Sequence, residues 1–291
     1  MSNEQWIGEA YAKINLGLHV LERLPTGYHE IETGFAFIDW SDRFTVQSSN
    51  HMRITISDEE VPLDGSNLIS RAVRALRTYV GLSGTYKIEV DKNIPIGAGL
   101  GGGSSDAAMI LRMLNKIDEL GLDEQDLIDL SRDLGADVPL FIRGKTGIGR
   151  GIGQQIESVD IQPSLWILTV YPGFECSTAE AYQRCQPQPE HDFSVQKILT
   201  DLPYDEWQFM LDNELEPPVM QQHQMIGNIK DQLYELGAVY AAMSGSGSSI
   251  FGLFEQDFVA TDAYHQFVDL DYQTNITPPG FKPDFGIYRK A

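Results

Sequence analysis

Five glycines stand within seven residues of this chain, inside the stretch PIGAGLGGGSSDAA that spans residues 95–108. Because glycine has no Cβ and tolerates positive φ, such a stretch lets backbone N–H groups approach a ligand closely. Where it leads into a helix N-terminus, those N–H groups and the helix dipole favour an anion, most often a phosphate. The stretch therefore indicates a phosphate-binding loop rather than a flexible linker.

This stretch can be compared with three known kinds of phosphate-binding loop. A dinucleotide site needs G-x-G-x-x-G and then a second strand with an acidic end about 20 residues on. The residues found there, LNKIDELGLDEQDL, predict helix and turn instead. A Walker A loop needs G-K-[ST] after four free positions, but no lysine stands in the stretch, and before Gly144-Lys145-Thr146 the first glycine position holds Pro139. The third, the ATP loop P-x-G-x-G-L-G-G-G-S-S-x-A-A, matches almost letter for letter.

The elements around the loop are predicted from hydrophobic periodicity. Alternating residues predict strands over 6–21 and 43–57, and a strand over 86–91 runs into the loop. Apolar residues at helical spacing predict helices over 67–80, 104–115 and 123–134, with Ser104 or Ser105 near the N-cap of the second. In the second half we expect a surface loop at 186–190, a helix at 225–236, and strands at 165–171, 239–243 and 250–254.

Composition excludes several classes of partner. The net charge is −21 and the sequence pI is about 4.5, so the surface repels nucleic acid and anionic lipid. Cys176 and Cys185 do not have the spacing of a redox pair or a zinc site. The chain shows neither a signal peptide nor a membrane-spanning run, so we expect a cytoplasmic protein with a small-molecule substrate. The oligomeric state stays open.

In this loop the chain resembles the GHMP kinases, which are small-molecule kinases whose ATP loop has this form. Four further motifs support the resemblance in chain order: Ala12–Leu16 with Thr26–Glu30, Gly135–Pro139, Asn213–Glu216 and Met243–Ser249. The combination of K-I-N-L with G-Y-H is similar to one branch of the family. The chain departs from that branch's pattern at Tyr11, Thr26 and Glu214, which leaves details of loop shape open.

The resemblance implies an α+β fold of two domains. The first, residues 1–155, would be like domain 2 of ribosomal protein S5, and the second, residues 156–291, would be ferredoxin-like, with the active site between them. It also implies ATP and Mg²⁺ as cofactors. For this chain, the similarity to that branch implies phosphorylation of the 2-hydroxyl of 4-diphosphocytidyl-2-C-methyl-D-erythritol in the non-mevalonate isoprenoid pathway.

Site residues follow from the resemblance position by position. Asp137 would be the catalytic base, unless it merely caps a helix, and Lys13 would orient the hydroxyl and stabilise charge. The substrate would contact Asn15, Tyr28, His29, Thr178 and Tyr182, with the aromatic residues on the cytosine. Direct Mg²⁺ ligands are unassigned, although Ser104 and Ser105 are candidates. ATP would contact Asn67, Lys92, Pro95, Gly97, Gly99, Leu100, Gly101, Gly102, Gly103, Ser104 and Ser105.

Three other functions remain open from the sequence. Another alcohol such as mevalonate or homoserine could be the acceptor, although G-Y-H suits a substrate that carries a base. A catalytically silent relative would bind nucleotide without turnover, yet Lys13, Asp137 and the loop are all present. A nicotinamide-dependent dehydrogenase rests on the G-x-G-x-x-G coincidence alone.

Overall fold

A computed structural model describes residues 4–58 and 64–290 of the chain. The described strands are β1 Gln5–Arg23, β2 His29–Ser48, β3 Arg53–Ile56, β4 Tyr86–Asp91, β5 Gly147–Arg150, β6 Gln155–Ser158, β7 Trp166–Tyr171, β8 Tyr240–Met243, β9 Ile250–Phe254, β10 Gln273–Thr277 and β11 Ile287–Arg289. The described helices are α1 Leu68–Val80, α2 Gly102–Ile117, α3 Glu124–Ser131, α4 Val138–Arg143, α5 Thr178–Arg184, α6 Val195–Asp201, α7 Tyr204–Met210, α8 Glu216–Gln222, α9 Gln224–Glu235 and α10 Asp257–Asp269.

The strands form two sheets. The first has the order β11-β1-β2-β4-β3, with β5 paired to β2 and β6 paired to β5. Helices α1 to α4 pack on one face of this sheet around the aromatic side chains of Phe37, Tyr86 and Phe141. The second sheet is antiparallel, with the order β10-β7-β9-β8, and α9 and α10 cover it. This is the predicted α+β architecture.

Strand β1 is buried more deeply than its sequence pattern suggests. The alternation predicts that one face of the strand is exposed to solvent, yet every residue from Ala10 to Val20 is buried. Helix α2 covers one face of the strand, and helices and loops of the second half cover the other. Its pairing with β2 shifts register between Tyr11 and Lys13, a bulge that re-aims the side chains that follow. The structure thereby places Lys13 in the interior.

Several predicted boundaries were wrong. The strand expected over 43–57 is the end of β2 and a separate β3, because the polar turn at 49–52 interrupts it. Helix α2 begins at Gly102, and its N-cap is Gly101 in the left-handed region, so neither Ser104 nor Ser105 is the cap. Helix α4 was not predicted, since six residues with Pro139 near the start give too little periodicity.

The final residues return to the first sheet. Strand β11 pairs with β1 at Trp6, Ile7 and Gly8, and Phe285 packs beside Tyr11. Strand β6 also belongs to this sheet. The division of the chain at residue 155 stays a prediction. Among the described residues, no helix combines the length and apolar character that a bilayer crossing requires.

Candidate active site

A cleft of about 960 Å³ lies where β1, the glycine loop and the loops of the second half meet. Eleven of the predicted site residues line it, and so do several residues from the second half, including Gly245 and Ser246. The predicted residues in the lining are Lys13, Asn15, Tyr28, His29, Gly97, Gly99, Gly101, Ser104, Asp137, Thr178 and Tyr182.

Lys13 is a buried cation with three oxygen neighbours. Only 4% of the residue is exposed. Its Nζ donates to Asn15 Oδ1 at 2.6 Å and to the Gly99 carbonyl at 3.0 Å. Burial lowers the pKa of Lys13, and the nearby Asp137 carboxylate opposes that change. The strand thus delivers one positive charge to the floor of the cleft.

Asp137 lies beside Lys13 at the floor of the cleft. The distance from its Oδ2 to Lys13 Nζ is 3.5 Å, and 29% of its side chain is exposed. It occupies the N-cap position of α4, but its side chain makes no capping hydrogen bond. The simple structural role of helix capping therefore does not account for this carboxylate, which remains available to a ligand in the cleft.

The glycine loop is held by both halves of the molecule. Leu100 accepts from the Lys13 N–H at 3.0 Å, and Ala98 accepts from the Ser249 N–H at 3.1 Å. Ser244 Oγ donates to the Gly99 carbonyl at 3.0 Å. Gly99 has φ +76°, and a Cβ there would lie 2.2 Å from the Ser244 carbonyl oxygen. The crowding explains why this position is a glycine.

The two serines after the loop have different surroundings. Ser104 lines the cleft near the first turn of α2. Ser105 is buried, and its hydroxyl donates to the Tyr11 carbonyl at 2.7 Å. Of these two serines, Ser104 is the one whose hydroxyl can reach a ligand in the cleft. Gly102 and Gly103 form the start of the helix, and Pro95 precedes the loop.

Aromatic rings gather at the other end of the cleft. His29 and Tyr182 stack with ring centroids 5.1 Å apart, whereas Tyr28 is 62% exposed. Burial and the nearby Arg23 lower the pKa of His29, so its ring is neutral near pH 7. Burial raises the pKa of Tyr182, which stays a neutral phenol. Thr178 and Ser246 share a hydroxyl hydrogen bond of 2.7 Å beside them.

Seven of the predicted nucleotide contacts lie outside the cleft lining, namely Asn67, Lys92, Pro95, Leu100, Gly102, Gly103 and Ser105. Asn67 is the N-cap of α1, and its Oδ1 accepts from the N–H groups of Ile69 and Ser70. Lys92 is buried beneath the loop, where its ammonium contacts the carboxylates of Asp42 and Asp106. The sequence predicts no link between these three residues, because they lie far apart in the chain.

No metal site is preformed in the parts of the chain that the structure describes. Residues 4–58 and 64–290 contain no group of three or more histidine, cysteine, aspartate or glutamate side chains arranged around a point. Mg²⁺ commonly keeps several waters and binds through one or two protein oxygens and substrate phosphates. The Ser104 hydroxyl, which lines the cleft, would provide one such protein oxygen.

Comparison with known proteins places the chain in a class. Residues 67–145 match the model of the GHMP kinases N terminal domain, and residues 204–270 match that of the GHMP kinases C terminal. A crystal structure of homoserine kinase from Cytophaga hutchinsonii is similar at a TM-score of 0.72 over 100% of this chain and 98% of that one, with 17% identity, which shows the fold alone. Fold and cleft together define a GHMP-type kinase.

Proteins of higher sequence identity show which family within this class the chain belongs to. The chain is 39% identical to 4-diphosphocytidyl-2-C-methyl-D-erythritol kinase of Prosthecochloris aestuarii, over 94% of this chain and 97% of that protein. The corresponding kinase of Chloroherpeton thalassium is 38% identical with the same shares of each chain. A crystal structure of 4-(cytidine 5'-diphospho)-2C-methyl-D-erythritol kinase matches at a TM-score of 0.81 and 33% identity, over 93% of this chain and 98% of that one. The chain belongs to the family of 4-diphosphocytidyl-2-C-methyl-D-erythritol kinases.

Proposed function

We propose that this protein transfers the γ-phosphoryl group of ATP to the 2-hydroxyl of 4-diphosphocytidyl-2-C-methyl-D-erythritol. The observation that carries the proposal is the Lys13–Asp137 pair, 3.5 Å apart on the floor of a cleft walled by the glycine loop. Phosphoryl transfer requires alignment, neutralised charge and an acceptor for the hydroxyl proton. Membership of the family supplies the substrate.

The reaction step follows from these groups. The substrate hydroxyl oxygen attacks the γ-phosphorus, the bond from that phosphorus to the β-phosphate oxygen breaks, and ADP leaves. Asp137 accepts the hydroxyl proton as the attack proceeds, because its carboxylate is unengaged by helix capping. The Lys13 ammonium stabilises the charge on the transferring group. Asn15 orients that ammonium, since its Oδ1 accepts from Lys13 and its Nδ2 donates to Thr33.

ATP would bind along the glycine loop. Backbone N–H groups of the loop and the N-terminus of α2 would hold the phosphates, and Mg²⁺ would neutralise part of their charge when bound. The Ser104 hydroxyl is the candidate protein oxygen for the ion. Asn67 would border the adenine through the first turn of α1, and Lys92 would act from beneath the loop, because its ammonium is held by carboxylates.

The cytosine would bind at the aromatic end of the cleft. Tyr28 offers an exposed ring face, and Tyr182 a partly buried one beside His29. A neutral imidazole can donate from one nitrogen and accept at the other, which suits the edge of a pyrimidine. Thr178 lies beside this end with its hydroxyl bonded to Ser246.

The direct test is ADP release with purified protein, ATP, Mg²⁺ and 4-diphosphocytidyl-2-C-methyl-D-erythritol. Mevalonate and homoserine serve as control acceptors, because their kinases share the fold. We expect turnover only with the cytidine-bearing substrate. Equal turnover with a control alcohol would contradict the substrate assignment, and ATP binding without turnover on any acceptor would contradict the proposed reaction.

A further inference from the structure

A turn between β8 and β9 borders the cleft, and the proposed reaction gives its donors no role. The turn, residues 244–247, contains two glycines in the left-handed region, Gly245 with φ +56° and Gly247 with φ +84°. Gly245 and Ser246 line the cleft. Their position raises the question of which part of a ligand the turn would contact.

The turn presents unused hydrogen-bond donors. In the described part of the chain, the N–H groups of Gly245 and Ser246 have no hydrogen-bond partner, whereas those of Ser244 and Gly247 donate to carbonyl groups. Ser246 Oγ lies 2.7 Å from Thr178 Oγ1, and either hydroxyl can donate, so one O–H group of the pair stays available to a ligand. Ser246 is buried, and buried donors are costly to leave unpaired. Adjacent donors of this kind favour an anion.

The turn is fixed from behind by Asn213. This side chain is buried, and its Nδ2 donates to the carbonyl groups of Met243 and Gly245, both at 2.8 Å. Its Oδ1 accepts from the Leu215 N–H at 3.0 Å. The turn therefore has its shape before a ligand arrives, which lowers the entropic cost of binding.

The turn lies between the two ends of the cleft. Toward the floor, a Cβ on Gly245 would lie 3.6 Å from Lys13 Nζ. Toward the aromatic end, Thr178 and Tyr182 are four residues apart in α5 and so share a helix face, and Tyr182 stacks on His29. A ligand that extends from the aromatic rings to Lys13 would therefore pass the donors of the turn.

The charges of the cleft favour an anion on this path. Among the lining residues that the structure describes, the ionised side chains are Lys13, Arg23 and Asp137. Two cations thus accompany one carboxylate, although the whole chain carries a net charge of −21. Such a local excess of positive charge attracts an anionic group against the field of the remaining surface.

We propose that the turn 244–247 binds the diphosphate of the substrate and that Ser246 recognises it through its hydroxyl and N–H groups. The inference rests on the proposed function, because that substrate carries a diphosphate between its cytidine and its methylerythritol. The phosphate oxygens accept from Ser246 and from the Gly245 N–H. This contact sets the position of the substrate along the cleft, with the cytosine at the aromatic rings and the hydroxyl at Lys13.

The experiment compares the binding of cytidine 5'-diphosphate and of cytidine to the full-length protein by calorimetry. A saturating non-hydrolysable ATP analogue with Mg²⁺ occupies the glycine loop, so that the diphosphate cannot bind there. The wild type should bind the diphosphate more tightly than cytidine. Ser246→Ala should raise the Kd of the diphosphate about tenfold or more, as expected for a lost hydrogen bond to a charged group, and leave the Kd of cytidine unchanged.

Two further variants guard against an effect on folding. Ser246→Cys keeps the size of the side chain but offers only a weak donor, and it should show the same selective loss. Ser83→Ala, at an exposed position in the loop before β4, is the matched control and should bind both ligands as the wild type does.

Phosphorus NMR of the bound diphosphate gives a second readout. Its chemical shifts in the wild type should differ from those of the free ligand, and in Ser246→Ala they should move toward the free values. Equal weakening of both ligands, or an unchanged Kd of the diphosphate in Ser246→Ala, would overturn this subsite while leaving the kinase assignment intact. Failure of the wild type to bind either ligand would instead contradict the proposed cytidine-bearing substrate.

Discussion

At the scale of single residues, the candidate site contains a buried lysine whose ammonium lies among oxygen atoms of three other residues. Lys13 is buried, and its carbonyl, amide and carboxylate neighbours replace the water it has lost. The sequence motif predicted that this lysine matters, because a lysine within A-K-I-N-L is unusual on an apolar strand. The sequence did not show how Lys13 is held, since Gly99 and Asp137 approach it from distant parts of the chain.

Replacement of Asp137 by asparagine tests the base. We expect kcat to fall about 10²-fold or more, because an amide cannot accept the hydroxyl proton. The fold should survive, since the carboxylate makes no capping bond. The measurement is steady-state ADP release at saturating ATP. Asp133→Asn, an exposed position four residues upstream, should keep the wild-type kcat, and a full-rate Asp137→Asn enzyme would remove Asp137 from the mechanism.

The pH dependence of kcat tests Lys13. Burial lowers the pKa of its ammonium, so the charged form is lost as pH rises through a value below that of an ordinary lysine, about 10.4. We therefore expect kcat at saturating ATP to decline on the alkaline side earlier than a solvated lysine would dictate. Lys13→Arg cannot titrate in this range, and its residual activity should lack that decline. An unchanged alkaline limb in the arginine variant would assign it to another group.

At the scale of elements, the loop and the helix after it show how much the pattern could predict. The strand before the loop was predicted with its bounds, and the helices after it were predicted within a few residues. The helix start was missed because left-handed Gly101 ends the loop without any side-chain cap. The Asp42–Lys92–Asp106 cluster was missed because no local pattern links a strand, a turn and a helix that lie 50 and 14 residues apart.

Two glycine-to-alanine variants, one in the glycine loop and one in α2, should differ in stability. A Cβ at Gly99 would meet the Ser244 and Gly247 carbonyl oxygens at 2.2 and 2.9 Å, and φ there is positive. Gly99→Ala should lower the free energy of unfolding by about 2 kcal/mol or more. Gly103 is helical and its nearest neighbour would be Leu68 Cδ1 at 3.4 Å, so Gly103→Ala should be neutral or up to about 1 kcal/mol more stable.

Urea denaturation of both variants beside the wild type makes the comparison. It reports stability without ligand, so contacts of either new methyl group with ATP do not enter the result. If both variants lost the same amount of stability, a Cβ would be unfavourable at both positions. The close approach to Ser244 would then not be the specific cause of the loss at Gly99.

At the scale of the whole molecule, the buried His19 belongs to a cluster that joins β1 to the second half of the chain. His19 stacks on His191 with ring centroids 3.8 Å apart, and His191 Nε2 lies 3.0 Å from Glu214 Oε1. Glu214 also accepts from the Val20 N–H at 2.5 Å. The cluster joins β1 to two segments of the second half, so a charge on His19 would affect how the halves are held together.

Mild acid should therefore weaken the fold through His19. Burial, and then His191, lowers the pKa of His19 to about 4, below its usual 6.5. The unfolded chain then binds the proton more readily, so stability falls as pH drops through this interval, by at most about 3 kcal/mol. His19→Phe keeps a ring in place and should flatten this part of the stability–pH curve in urea titrations. His265→Gln, at an exposed position, should not, and a steep curve in His19→Phe would exclude His19 as the cause.

Because β11 pairs with the edge of β1, the first sheet cannot be completed in the order in which its strands are synthesised. Trp6, Ile7 and Gly8 pair with residues 287–289, which are synthesised long after them. Phe285 then completes the packing around Tyr11 and Phe37. A nascent chain therefore carries an open sheet edge, which is a template for unwanted pairing, throughout translation of the second half. The nucleotide loop follows β4 of that same unfinished sheet, so the ability to hold ATP would mature only after residues 287–289 have been made.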